Sequence, residues 1–398
     1  MNGGPYAIEA LLHYQMIEQT RYPDADIGTW LLIGTILRLG LRMGYHKDPS
    51  HFPSISLFQG EIRRRVFVAL HAMDIMLSLQ MGLPRLIKDG QWDTQPPRNL
   101  FDSDFDEGTL ELPPSRPESE TTPMLHFLAK HRILVVVGAI ADNSMSVTIG
   151  QHHLPSISNE EMLAKRLQDT YNSIPDRLKF HSFTSCLADT PCDILHRLSL
   201  TVLRQKGLIV LYWHHVTSKI SLRATTPVNV NTDDGLDNSY RICIKAALEI
   251  LKIQKFVEVE TRPNGALFHL RLQFSSVVKH EFLMATIVLV THMYRLAIGR
   301  SSQVPGRWDG AHRQEVEAAL STSRDIWTRY MVQSIEAARV AKLLDMMFIR
   351  LKGTRARQPD LQEQAALAAQ AVDGELAFLE ESGLLYYLQD LNSYFMCA

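Results

Sequence analysis

Apolar side chains recur along this chain at three- and four-residue spacing, the pattern of helices with one buried face. In residues 27–45, Trp30, Ile33, Leu37 and Leu41 share a face, while Thr35, Arg38 and Arg42 fall together on another. A second helix is predicted from Leu57 to Met81, with Ile62, Val66, Ala69, Met73 and Leu77 as its apolar stripe. Ser56 and Gln59 have capping-box spacing at its start, and Gly82 followed by Pro84 is a stop signal. Further helices are predicted over 123–147, 159–171, 191–222, 238–259, 263–299 and 312–351. Thr190 is the expected N-cap before Pro191, and Ser221 to Asp237 reads as a polar turn region. A last helical region runs from Pro359 to the end, with breaks at Gly374 and Gly383. Strand signals are nearly absent, and no repeat at a solenoid period is evident. The expected fold is all-α, one large multi-helix unit over 1–398.

Between Pro84 and Pro123 the periodicity collapses. This stretch carries Pro96, Pro97, Pro113, Pro114 and Pro117 with Asp102, Asp104 and Asp106. So long a segment without regular structure is unusual inside a compact domain. Trp92, Leu100 and Phe105 give it apolar anchors, so at least its first half is expected to lie on the helices, with 124–398 as the helical remainder.

Composition narrows the class. The 398 residues are 45% hydrophobic and 21% charged, the balance of a globular protein. Lys plus Arg number 41 against 43 Asp plus Glu, so bulk positive charge cannot hold nucleic acid. Four cysteines exclude a disulfide scaffold and fit a reducing compartment. The start, MNGGPYAIEA, lacks the basic lead and apolar core of a secretory signal. Apolar runs such as Phe282 to Val290 are too short to span a bilayer. An intracellular soluble protein with no membrane partner is expected.

Tests for reactive or metal-binding motifs come back empty. Structural zinc needs clustered Cys or His, and among Cys186, Cys192, Cys243 and Cys397 only the first two are close, with no second pair. The adjacent pairs His152–His153 and His214–His215 point about 100° apart if helical, and His269 and His280 are ~16 Å apart along one. His280–Glu281 lacks the second histidine of a metalloprotease helix. Gly40 and Gly44 fall inside a predicted helix, where close packing explains them better than a phosphate loop does. No GxSxG elbow is present, and the acids at 102, 104, 106 and 107 lack an EF-hand's glycine and terminal glutamate. The consecutive Arg63, Arg64 and Arg65 cannot all face one partner. They read as holders of carboxylates, with Asp48, Asp74, Asp93 and Asp102 as candidates, and a solvated face is the alternative for any one of them. Residues 375–398 mix acids with Phe378, Tyr386, Tyr387, Tyr394 and Phe395 and contain no Lys or Arg. They read as a docked terminal helix, with an activation segment as the alternative.

The order of residues from Asp24 to Asp106 resembles the middle homology region of fungal zinc-cluster transcription regulators. One helix ends in the phrase RLGLRMGYHKDPS, which supplies Gly44, His46 and Asp48. The next opens with Arg63, Arg64 and Arg65 and carries Asp74. Gly82 and Pro84 follow, then a loop bearing Asp93 that ends in prolines. Two departures are plain: the family often has tryptophan after the arginine triplet, where this chain has Val66-Phe67, and its six-cysteine zinc cluster is missing from this sequence. The resemblance therefore implies a helical regulatory domain, not an enzyme, controlling gene expression in the nucleus, for instance of a metabolic pathway. It implies no catalytic residue, zinc ligand, other cofactor or DNA-contacting residue in this chain; DNA would be reached only through a missing domain or a partner. A small-molecule effector in an apolar cleft between helices and a homo- or heterodimer with a related regulator are the expected partners. A stand-alone co-regulator derived from the family is the alternative, ahead of an all-helical enzyme.

Overall fold

The computed structural model describes residues 4, 6–145, 157–186, 189–218, 233–273, 276–298 and 310–355, and every regular element among them is helical. The elements are α1 (Ala7–Arg21), α2 (Ile27–Arg42), α3 (Leu57–Met81), α4 (Pro123–Ser144), α5 (Ile157–Asn172), α6 (Phe183–Cys186), α7 (Pro191–Ser218), α8 (Asp233–Glu260), α9 (Ser276–Ile298), α10 (Gly310–Tyr330) and α11 (Ile335–Arg355). The chain divides into two compact units, 1–207 and 208–398, and the division falls inside α7. No change in the apolar pattern marks it, because one helix runs through the boundary.

Side chains set several helix starts by taking up free N–H groups of the first turn. Asp26 accepts from Thr29 N at 2.9 Å, Ser56 from Gln59 N at 3.2 Å, Thr122 from Leu125 N at 3.2 Å, and Thr190 from Asp193 N at 3.2 Å. In the N-terminal unit α2 and α3 pack together, as do α3 and α4 and α4 and α5. Their shared core is built from Ile33, Ile36 and Leu37 of α2, Phe67, Leu70 and Ile75 of α3, and Ile133, Leu134 and Val137 of α4, all essentially buried. Gly40 packs against Leu70, but Gly44 lies beyond the helix in a left-handed turn, φ +78°. By length and composition α4 could cross a membrane, which a search for unbroken apolar runs misses. Here it is a core helix.

In the C-terminal unit α9 is the central element. Its residues 280–294 are buried all round, and α8, α10 and α11 pack against it. Two predicted helices are corrected here. The one expected from Pro263 begins only at Ser276, because residues 260–267 close a turn on Glu260: its carbonyl accepts Leu267 N and its side chain accepts Ala266 N, both at 2.9 Å. A Cβ on Gly265 would sit 2.2 Å from the Glu260 carbonyl oxygen, so only glycine closes this turn. The helix expected over 312–351 is two, because Ser334 caps α11 by accepting Ala337 N at 2.9 Å. In the N-terminal unit, α1 is a helix the pattern does not announce: its buried face is Ile8, Leu12 and a glutamine, Gln15. The predicted turn region 221–237 is shortened, because α8 already begins at Asp233; its residues 221–232, and the elements beyond 355, lie outside the described residues.

Candidate functional site, an arginine–carboxylate clasp

Consecutive helical residues point about 100° apart, so the three arginines of α3 reach three different places. Arg63 donates to the Met43 carbonyl at 3.2 Å and lies over the Tyr45 ring, 4.7 Å from its centroid. Arg64 makes a bidentate pair with Asp48, at 3.0 and 2.8 Å. Arg65 turns toward the connector. It donates to Glu61 at 3.3 Å, Asp102 at 2.5 Å and the Leu100 carbonyl at 3.3 Å, and it covers the Phe105 ring.

Asp48 is the hub. It accepts from Arg64, from Ser50 N at 3.0 Å and from Gln95 N at 2.8 Å, while its own N–H donates to Asp93 at 2.8 Å. Asp93 N in turn donates to the His46 carbonyl at 3.1 Å, and Thr94 to the Tyr45 carbonyl at 2.8 Å. The segment that leaves α2 is thereby stitched to residues 93–95. Burial alone would raise the Asp48 pKa, but the Arg64 guanidinium and the Ser50 and Gln95 donors together hold it well below the usual carboxylate range. With its acceptor positions so filled, Asp48 is poorly placed to take a proton. Glu61 is fully buried and accepts from Arg65 and from Arg98 N at 3.1 Å; burial pushes its pKa up against those two donors.

A second cluster sits at the end of α3. Gly82 takes the left-handed conformation that closes helices, φ +67°, and Leu83 N returns to the Ser78 carbonyl at 2.9 Å. After Pro84 the chain folds back, so that Leu86 N and Ile87 N donate to Asp74 at 3.0 and 2.8 Å. Burial raises the Asp74 pKa, and those two amides oppose the rise. Arg85 is 5% exposed; it donates to Asp142 at 2.8 Å, Asp89 at 2.8 Å and His71 Nε2 at 3.2 Å. His71 Nδ1 meets His131 Nε2 at 3.1 Å. Arginine can only donate, so His71 accepts at Nε2, carries its proton on Nδ1 and donates to His131. Burial, then His131 and Arg85, pull the His71 pKa down to about 3, and burial pulls His131 to about 4. Both rings are neutral at pH 7.

Gly44, His46, Asp48, Arg63, Arg64 and Asp93 thus gather in the first cluster, and Asp74, Gly82 and Pro84 in the second. Arg65 faces the connector instead. Asp74 and Asp93 hold backbone amides and not arginines. Sequence reasoning missed His71, Arg85, His131 and Asp142. Residues 71 and 131 are 60 positions apart, and the one local signal is that Arg85 directly follows the glycine–proline stop. Farther along, Arg98 donates to the Leu112 and Pro113 carbonyls at 2.8 and 2.7 Å, and Arg116 pairs bidentately with Asp104 at 2.9 and 2.8 Å. Chemically, the whole arrangement fixes backbone and neutralises charge.

Comparison with known proteins places the chain in a family. Residues 5–169 match the fungal specific transcription factor domain. The chain is 36% identical over 349 residues to the Zn(2)-C6 fungal-type transcription factor pigI of Monascus ruber, covering 87% of this chain and 41% of that protein. It is 35% identical over 349 residues to the equisetin cluster transcription factor eqxF of Fusarium heterosporum, covering 88% of this chain and 47% of that protein. It is 27% identical over 384 residues to the transcription factor cghF of Chaetomium globosum, covering 96% and 61%. No solved structure gives a match. The chain belongs to the fungal zinc-cluster transcription regulators through its fungal-specific transcription factor domain, and it spans less than half the length of the first two relatives.

Proposed function

We propose that this chain is the regulatory portion of a nuclear transcription regulator that switches a gene cluster, working by binding and not by catalysis. The observation that carries the reading is the clasp itself: its arginines and carboxylates are spent on each other and on backbone amides, leaving a rigid frame with no assembled nucleophile and base. The likeness to a named cluster transcription factor supports the choice of target. An effector or a dimer partner would act by favouring one helix packing over another, which requires different affinities for the two. Selective DNA contact is assigned to another domain or a partner.

Deleting the gene in its host and sequencing transcripts tests this reading. A drop of tenfold or more across a contiguous set of genes is expected, restored by the wild-type gene. Unchanged transcripts would overturn it. In gel-shift titrations the 398-residue chain should show no sequence-selective binding, and nanomolar selective binding would refute the assignment of DNA contact elsewhere.

A further inference from the structure

α1 and α2 form an antiparallel pair, tied at one end by the Tyr45 hydroxyl donating to Glu9 at 3.3 Å. Each buries one face: Ile8, Leu12 and Gln15 on α1, and Thr29, Ile33, Ile36, Leu37 and Gly40 on α2. The opposite faces are apolar as well. Tyr14 and Ile17 on α1, and Ile27 and Leu31 on α2, are each 50–58% exposed. On α2 the outward line continues at helical spacing through Thr35 to Arg38 and Arg42, both exposed. On α1 it ends at Arg21, whose partner Glu18 lies 2.8 Å away. α2 contains no Asp or Glu at all. Apolar side chains are left facing outward, with Arg38 and Arg42 at one end of α2 and the capping carboxylate Asp26 beside Ile27 at the other.

We propose that this face docks an amphipathic helix bearing acidic residues, supplied by a partner protein. Scattered exposed apolar residues need no explanation, but apolar residues exposed at helical spacing on two paired helices do. From Ile27 and Leu31 through Thr35 to Arg38 the outward line of α2 runs ~16 Å, three helical turns, with its apolar part in the first turn and its cation in the last, and a docked helix presents its anchors at i, i+4 and i+7. Four half-exposed side chains offer roughly 400 Å², about half of the ~800 Å² per partner of a stable protein–protein interface. The same small strip on both sides would be too little for a second copy of this chain. Arg38 and Arg42 favour carboxylates on the incoming helix and disfavour lysines. The inference does not depend on the transcriptional reading above, since such a face can serve any assembly.

Two synthetic 18-residue helical peptides with the same leucine-rich apolar face decide the matter, one with glutamates and one with lysines on its polar face. Fluorescence anisotropy with the full chain should give micromolar binding of the glutamate peptide and at least tenfold weaker binding of the lysine peptide. Leu31→Asp should weaken the glutamate peptide at least tenfold. The double variant Arg38→Glu/Arg42→Glu should reverse the preference, an outcome that loss of folding cannot imitate. Circular dichroism checks that each variant keeps its helices. Equal binding of both peptides would mean unspecific grease and overturn the proposal, as would no binding of either. Sedimentation showing a dimer that Leu31→Asp dissolves would assign the face to a second copy and overturn it equally.

Discussion

The two compact units solve the same problem with different bonds. In the N-terminal unit, residues 84–121 have no continuous helix, so their backbone groups must find side-chain partners. Arg98, Arg65 and Asp74 supply them, along with Asn99, whose amide donates to the Arg116 carbonyl at 3.2 Å. In the C-terminal unit, α9 satisfies its own backbone and is buried among apolar neighbours. Its polar side chains bond within the helix or across to its neighbours: Thr286 to the Phe282 carbonyl at 2.8 Å, Thr286 with Ser323 of α10 at 3.2 Å, and His292 with Tyr240 of α8 at 2.7 Å. Both units carry ion pairs, but only in the N-terminal unit do they hold a long irregular segment; in the C-terminal unit they join helices, as Arg329 of α10 joins Glu258 of α8. A helix satisfies its own backbone and needs no such stitching.

Acid should produce the largest effect, because it strikes a device the two units share. His71, His131 and His292 are buried and neutral, with pKa values of about 3, 4 and 3; for His292 burial is the main cause, then His312 and Arg295. Their folded pKa values lie below the unfolded value near 6.5, so the unfolded chain binds more protons. Stability is therefore full above pH ~6.5 and falls as pH drops toward 4, by ~1.4 kcal/mol per pH unit for each such histidine. Asp48 has the opposite dependence on ionisation: its contribution persists above its unfolded pKa and fails only below pH ~4. Chemical denaturation at pH 7.5, 6 and 5 would read the first window, and a flat profile would contradict the neutral assignment.

Breaking the clasp comes next. Arg64→Met leaves a buried carboxylate without its cation and should cost ~3–5 kcal/mol in urea titrations. Local proteolysis within residues 44–51 and 93–98 should rise with it. Leu289→Ala, in the fully buried middle of α9, should cost ~2–5 kcal/mol by cavity formation while leaving that proteolytic pattern unchanged. Similar patterns for both variants would erase the distinction between the units. Thr122→Ala removes the cap of α4 and a 2.5 Å bond to Asn99, for a loss of ~1–2 kcal/mol in the same titration. The smallest effect is expected from Arg132→Ala at the exposed pair with Glu118, under ~1 kcal/mol and vanishing in high salt.

Much of this architecture is legible in the residue order. The span 57–81 follows from its stripe, with Ser56 and Gly82 as punctuation, and Thr190–Pro191 opens α7 as local chemistry dictates. Misreadings fall where local signals are weak or silent. α1 hides because Gln15 takes a core position. Tyr330-Met331-Val332 carries the apolar pattern across the gap between α10 and α11. Glu260 ends a helix through groups six and seven residues ahead of it. Within the clasp, the identity of the arginines and aspartates can be read directly, but which arginine holds which carboxylate cannot.

What the chain determines by itself is everything that depends on neighbours a few residues apart: helix periodicity, caps, stops and the collapse of pattern between Pro84 and Pro123. Tertiary structure alone decided that Arg64 meets Asp48, that Arg85 threads between Asp142 and His71, and that His131 completes that line from another helix. Periodicity is a property of one helix and its spacing. A hydrogen bond or ion pair across 14 to 60 residues exists only after packing has brought donor and acceptor within about 3 Å of each other.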